Sequence, residues 1–150
     1  MSSRRIFLAI GLAAALSGCT TLQTQTLQPE GLRAYKRVYV EQPQEDEFLV
    51  VPALTHELND MGFEVVGKPF NDPLDSDLVA KVNGVGGWDM TRYLQSLQLQ
   101  FLAAKSGRVV TTSSFYSKGL WQGVRDARLK AVFNDLRAKN GYPPSKQFGQ

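Results

Sequence analysis

The stretch from Ser96 to Tyr116 constrains the fold more than any other part of the chain. Leu97, Leu99, Phe101 and Ala103 alternate with Ser96, Gln98 and Gln100, which gives a strand with one apolar and one polar face over a long period-2 run. Lys105-Ser106-Gly107-Arg108 supplies turn chemistry, and Val109 to Tyr116 returns as a partner strand rich in threonine and aromatic residues. A one-sided hairpin of this length needs another layer over its apolar face.

Two segments have the period to provide that layer. Val51, Leu54, Leu58 and Met61 fall at spacings of 3, 4 and 3 and share one helical face, with Gly62 as a stop. Pro52 requires that this helix either start near Val51 or kink there, because a proline beyond the first turn removes a backbone donor. Leu129, Val132, Phe133 and Leu136 occupy i, i+3, i+4 and i+7 of a second helix that runs to Lys139 and closes at Asn140-Gly141. Arg37 to Glu41 and Phe63 to Val66 read as strands, and strand, helix, strand with short links predicts a right-handed crossover between parallel neighbours. Residues 68–77 read as a loop, with Pro69, Pro73 and three aspartates. Leu78 to Val85 reads as a buried strand with apolar residues on both faces, ending at Gly84, Gly86 and Gly87. The order β-α-β-β-β-α predicts an α/β (α+β) two-layer sandwich, a mixed sheet with both helices on one face.

The amino terminus is of a different kind. Arg4 and Arg5 precede an apolar run of 11 residues from Ile6 to Leu16, too short to cross a hydrocarbon core that needs about 20. The run ends in Leu16-Ser17-Gly18-Cys19, which contains the only cysteine of the chain. This box resembles that of bacterial lipoproteins. The resemblance implies that residues 1–18 are a signal peptide and that Cys19 becomes the first mature residue, joined through sulfur to diacylglycerol and carrying further acyl chains such as palmitate. Two or three such chains give stable membrane anchoring where one is marginal. Thr20, in a position where aspartate favours the inner membrane, implies the inner leaflet of the outer membrane, facing the periplasm.

Thr20 to Lys36 is rich in Thr and Gln, contains Pro29 and Gly31 and lacks a sustained apolar period. Residues 19–36 are therefore expected to be the lipidated cysteine and a flexible tether that lets the domain sit away from the lipid. A single domain is expected over residues 37–139, followed by a disordered polar tail over 140–150 that starts around Pro143 and Pro144. The element order is similar to that of small α/β domains in periplasmic lipoproteins and envelope accessory factors, among them the amino-terminal domain of the TolB translocation protein and the curli secretion lipoprotein. That similarity covers roughly residues 37–139 and brings no functional residue with it.

Composition removes several functions. The net charge of +3, from 17 basic and 14 acidic residues, falls to +1 once Arg4 and Arg5 leave with the signal, so nucleic acid is not an expected partner. Acylation of Cys19 uses the only thiol, and with one histidine, His56, neither a cysteine nor a multi-histidine zinc site can form. His56-Glu57 begins like a zinc-protease helix, but Asp60 stands where the second histidine belongs, and His56 reads as a solvent-facing helix residue. Gly84-Val85-Gly86-Gly87 lacks the lysine or third glycine of a nucleotide loop and reads as a bulge or turn. Asp72, Asp75 and Asp77 lack calcium-loop spacing and read as a solvated loop. Ser113 and Ser114 sit in no nucleophile pattern. Arg125, Arg128, Lys130, Arg137 and Lys139, interspersed with Asp126 and Asp135, read as the solvated face of the last helix.

An aromatic set remains: Trp88 beside Asp89, then Tyr93, Tyr116 and Trp121. Such residues join large apolar area to a polar edge and suit a protein, peptide or glycan partner, while core packing at a sheet margin explains the same residues and is the preferred reading. The sequence thus predicts a non-catalytic, lipid-anchored envelope component with no metal or cofactor, its partner an envelope protein or glycan. A small-ligand or glycan-binding lipoprotein ranks second and a hydrolase third.

Overall fold

The computed structural model describes residues 20–67, 77–119 and 123–148. The expected signal peptide, residues 1–18, and Cys19 lie outside these residues. Strands are β1 (Thr20–Thr26), β2 (Arg37–Val40), β3 (Glu64–Val66), β4 (Leu78–Asp89), β5 (Thr91–Ala103) and β6 (Val109–Ser117). Among the described residues the helices are α1 (Val50–Asp60) and α2 (Asp126–Lys139), with one 3-10 turn at Gly31–Ala34. The six strands form one mixed sheet in the order β1-β6-β5-β4-β2-β3.

The long hairpin is its centre. β5 and β6 pair antiparallel with Ser96 opposite Tyr116 and Phe101 opposite Thr111, and Gly107, at φ 67°, makes the left-handed step of the turn. β4 pairs antiparallel with β5, and β2 runs parallel to both β3 and β4, as expected for strands joined through a helix. Both helices cover the face to which Leu97, Leu99 and Phe101 point. These three pack with Leu54, Leu58, Leu129, Val132, Phe133 and Leu136, and each of the nine is at most 1% exposed. Truncating one of the leucines to alanine would cost about 2–5 kcal/mol. Pro52 causes no kink, because α1 starts at Val50 and the proline falls within its first turn. The residue before the helix is Leu49, but Asp46 acts as the cap: its two carboxylate oxygens accept from the amides of Val50 (2.7 Å) and Val51 (2.8 Å).

Several expectations need correction. β4 does not end at the glycines and is covered on one face only; Lys81, Asn83 and Gln98 stand exposed on the other side of the sheet. The first part of the stretch expected as a tether, Thr20–Thr26, is a strand. β1 pairs with β6 from Thr20↔Ser117 to Thr26↔Thr111, and hydroxyl pairs stand where an apolar pattern would be: Thr20 with Ser117 at 3.0 Å and buried Thr24 with Ser113 at 2.8 Å. Asn140, also buried, ties this edge to α2, since its side-chain oxygen accepts from the Leu32 amide and the Thr111 hydroxyl while its Nδ2 donates to the Leu136 carbonyl.

The expected disordered tail also packs, as far as it is described. Tyr142 meets Phe63 at 6.3 Å between ring centroids and Phe148 meets Phe133 at 6.0 Å. Ser145 donates from Oγ to Glu57 (2.7 Å).

Candidate functional site

Seven large apolar side chains are exposed among the described residues: Leu22, Leu27, Leu49, Val85, Trp88, Met90 and Val124. Trp88 and Met90 mark the β4–β5 end of the sheet, while Leu22 and Val85 stand level with the middle of β5. The β4–β5 hairpin builds the most prominent part of this end. Asp89 pairs with Thr91 around a single residue, Met90, whose φ of 59° places it in the left-handed region and leaves its side chain 90% exposed. Trp88, two residues earlier, is 70% exposed.

The glycines explain how this hairpin sits on the body. The β4–β5 register shifts between Val85 and Gly86, so the glycine run is a bulge, as read from the sequence. A Cβ on Gly86 would lie 2.8 Å from an Arg92 guanidinium nitrogen, and one on Gly87 would lie 2.4 Å from the Tyr93 ring. Both positions therefore exclude a side chain so that another can cross the backbone. Arg92 in turn binds Glu47 in bidentate fashion, Nε to Oε1 at 2.7 Å and Nη2 to Oε2 at 2.5 Å. The Arg92 hydrogen bond holds the Glu47 carboxyl below its ordinary range, with the guanidinium charge adding to it.

The remaining aromatic candidates separate. Tyr93 is 4% exposed; its hydroxyl accepts from the Gly119 amide at 3.2 Å and its ring faces the Arg128 guanidinium at 5.0 Å. Tyr116 lies between two residues that are buried under the helices, Phe115 and Ser117, and so points to the opposite face of the sheet. Trp88 stands across from Arg92, on the side of Glu47 and α1. Asp89 is exposed beside the turn. Trp121 is outside the described residues. Of the five, Trp88 and Asp89 share the exposed end, Tyr93 is structural, and Tyr116 faces away.

Sequence reasoning misplaced two arginines of α2. Arg128 is fully buried and Arg137 is 2% exposed, so neither belongs to a solvated face. Arg128 spends its donors on backbone carbonyls: Gly123 (2.8 Å), Leu94 (2.6 Å), Ser117 (3.4 Å) and Gly119. Burial without a carboxylate partner pulls its pKa below the ordinary arginine value. Arg137 instead meets two acids of α1, Glu57 and, at 2.5 Å, Asp60, and donates to the Pro143 carbonyl at 2.9 Å. Glu57, read beside His56 as half of a metal motif, is completely buried in this pair, while His56 is exposed as expected.

Asp77 is likewise structural. Its carboxylate accepts from the amides of Lys36 (3.1 Å) and Arg37 (3.0 Å), and these bonds, Arg37's first, hold its pKa below 3.8. Asp72 and Asp75 are outside the described residues. Ser113 is buried against Thr24, and the Ser114 hydroxyl donates to the Gln23 carbonyl at 3.4 Å. Among the described residues no three His, Cys, Asp or Glu side chains come together as a metal site. On the uncovered face, Glu41, Lys81, Asn83, Gln98 and Gln100, with Pro43 and Val82, line a shallow depression of about 250 Å³.

No protein-family model and no curated protein matches this sequence. Solved structures do match in fold. PelC from Paraburkholderia phytofirmans, a dodecamer in two crystal forms, superposes with a TM-score of 0.51 at 12% identity, over 78% of this chain and 94–95% of that one. A PDZ domain protein from Parabacteroides distasonis gives a TM-score of 0.51 at 10% identity, over 92% of this chain and 40% of that one. At these identities the likeness is one of fold.

Proposed function

We propose that this chain is a non-catalytic lipoprotein, anchored through Cys19 in the outer membrane with its domain in the periplasm, that assembles with copies of itself or with another envelope component. The observation that carries the reading is the Leu16-Ser17-Gly18-Cys19 box placed directly before a domain whose fold is similar to PelC, a dodecamer. One further feature supports assembly: among the described residues β1 is an edge strand of seven residues, the kind of edge to which a further strand can add.

The competing reading, a small-ligand or glycan binder, has less support among the described residues, where Trp88, Tyr93 and Tyr116 do not form one platform. Native mass spectrometry of detergent-extracted protein, with crosslinking in intact cells, tests the proposal. Acyl mass on Cys19 and a defined oligomer or a reproducible envelope partner are expected. A strictly monomeric protein without a crosslinked partner, or one that turns over an envelope substrate, would overturn it.

A further inference from the structure

The position of Thr20 has a spatial consequence for the anchor. It is the first residue of β1, stands opposite Ser117 and shares a hydroxyl contact with it at 3.0 Å. Ser117 lies beside Leu94, since the Arg128 guanidinium binds both carbonyls. Cys19 is one peptide unit, about 3.8 Å between Cα atoms, from Thr20. An acylated Cys19 would therefore have almost no spacer between its lipid and the folded sheet.

The same end carries the apolar hairpin. From the level of Leu94 and Ser117, β4 and β5 continue through Gly87↔Tyr93 and Trp88↔Arg92 to the turn at Met90. Four residues at about 3.3 Å each extend the turn roughly 13 Å along the strand past that level. Leu49 and Val124 are held there as well: Arg125 donates to the Leu49 carbonyl (3.1 Å), and the Val124 carbonyl accepts from the Leu94 amide (2.9 Å). Lipid attachment and exposed apolar side chains thus lie at one pole. Tryptophan suits the membrane–water interface because its ring is apolar while its indole N–H needs a polar neighbour.

We infer that this pole seats directly on the bilayer holding the acyl chains, with Trp88 and Met90 of the β4–β5 turn entering the interfacial layer. The inference rests on acylation of Cys19 and adds a fixed orientation: the sheet stands with its β1 start and hairpin turn toward lipid and its β5–β6 turn, at Gly107, away from it.

The test uses the full lipidated protein carrying Trp121→Phe, so that Trp88 is its sole tryptophan, in phosphatidylethanolamine–phosphatidylglycerol vesicles with and without brominated acyl chains. Blue-shifted emission and roughly twofold quenching by the brominated lipid are expected, as for an indole at interfacial depth. Acyl mass on Cys19 with solvent-like, unquenched Trp88 emission overturns the seating and leaves the anchor standing. Emission that shifts with protein concentration and is not quenched assigns the hairpin to a second copy and also overturns it. A Cys19 without acyl mass removes the anchor reading and this inference together.

Discussion

Arg128 and Arg137 stand nine positions apart on one helix, both almost wholly withdrawn from water, and they are satisfied in opposite ways. Arg137 meets carboxylates of α1, so its partners are side chains and its charge is balanced. Arg128 meets four carbonyls, so its partners are backbone and its charge has no counter-ion among these contacts. The first device joins helix to helix. The second gathers the start of β5, the end of β6, the following loop and the first turn of α2 around one fork of donors. A side-chain partner can be changed together with its arginine, whereas a carbonyl cannot, and this difference is open to experiment.

The largest loss is expected for Arg128→Met, about 4 kcal/mol in urea unfolding, because several buried carbonyls lose their donor at once. No second side-chain substitution among its contacts should restore it, and a rescue by any of them would break the contrast. Arg137→Met alone should cost about 3–5 kcal/mol by leaving Glu57 buried without its counter-charge, and Arg137→Met with Glu57→Met should recover most of that. Failure of the double variant to exceed the single one would show that both arginines act alike. Gly87→Ala tests the ring behind Arg128. Forcing Tyr93 from its place should cost about 1–3 kcal/mol, whereas Gly67→Ala, with open space around its Cβ, should stay within about 0.5 kcal/mol of the parent.

Smaller effects belong to two carboxylates nearer the surface. Asp46→Ala removes the acceptor for two amides of α1 and should cost about 1 kcal/mol. Asp77 has a folded pKa below its ordinary 3.8, so its stabilisation is present above that value and is lost as pH falls through the folded pKa. Asp77→Asn should therefore flatten the decline of stability below about pH 4, as read by acid titration of the unfolding midpoint.

These arginines also mark where sequence reading stops. The hairpin, both helices and the bulge were legible because apolar period and glycine placement act locally, in the span of a few residues. Leu129, Val132, Phe133 and Leu136 announced α2, yet Arg128 and Arg137 flank that stripe and are drawn in by partners outside the helix, backbone carbonyls for the first and the acids of α1 for the second. A formal charge gives no sign of whether water or a carbonyl will meet it. β1 was missed for a related reason: Thr24 and Ser113 satisfy each other across 89 positions, so the strand needs no apolar alternation on its inner face. The carboxyl-terminal stretch hid its packing in two isolated aromatics, Tyr142 and Phe148. At the exposed end, Trp88 and Asp89 could be named from composition, but Met90, Leu49 and Val124 could not, since only the turn and the two helix starts bring them together.

The edge position of β1 has a mechanical side. Its hydrogen bonds to β6 run across the strands, at right angles to the strand axis that starts at Thr20. A pull applied at residue 20 in that direction loads the seven paired positions in shear, all at once, rather than peeling them one after another. Any force carried between residue 19 and the folded body is then spread over the whole length of one strand, with the Thr20–Ser117 and Thr24–Ser113 hydroxyl pairs inside the loaded seam.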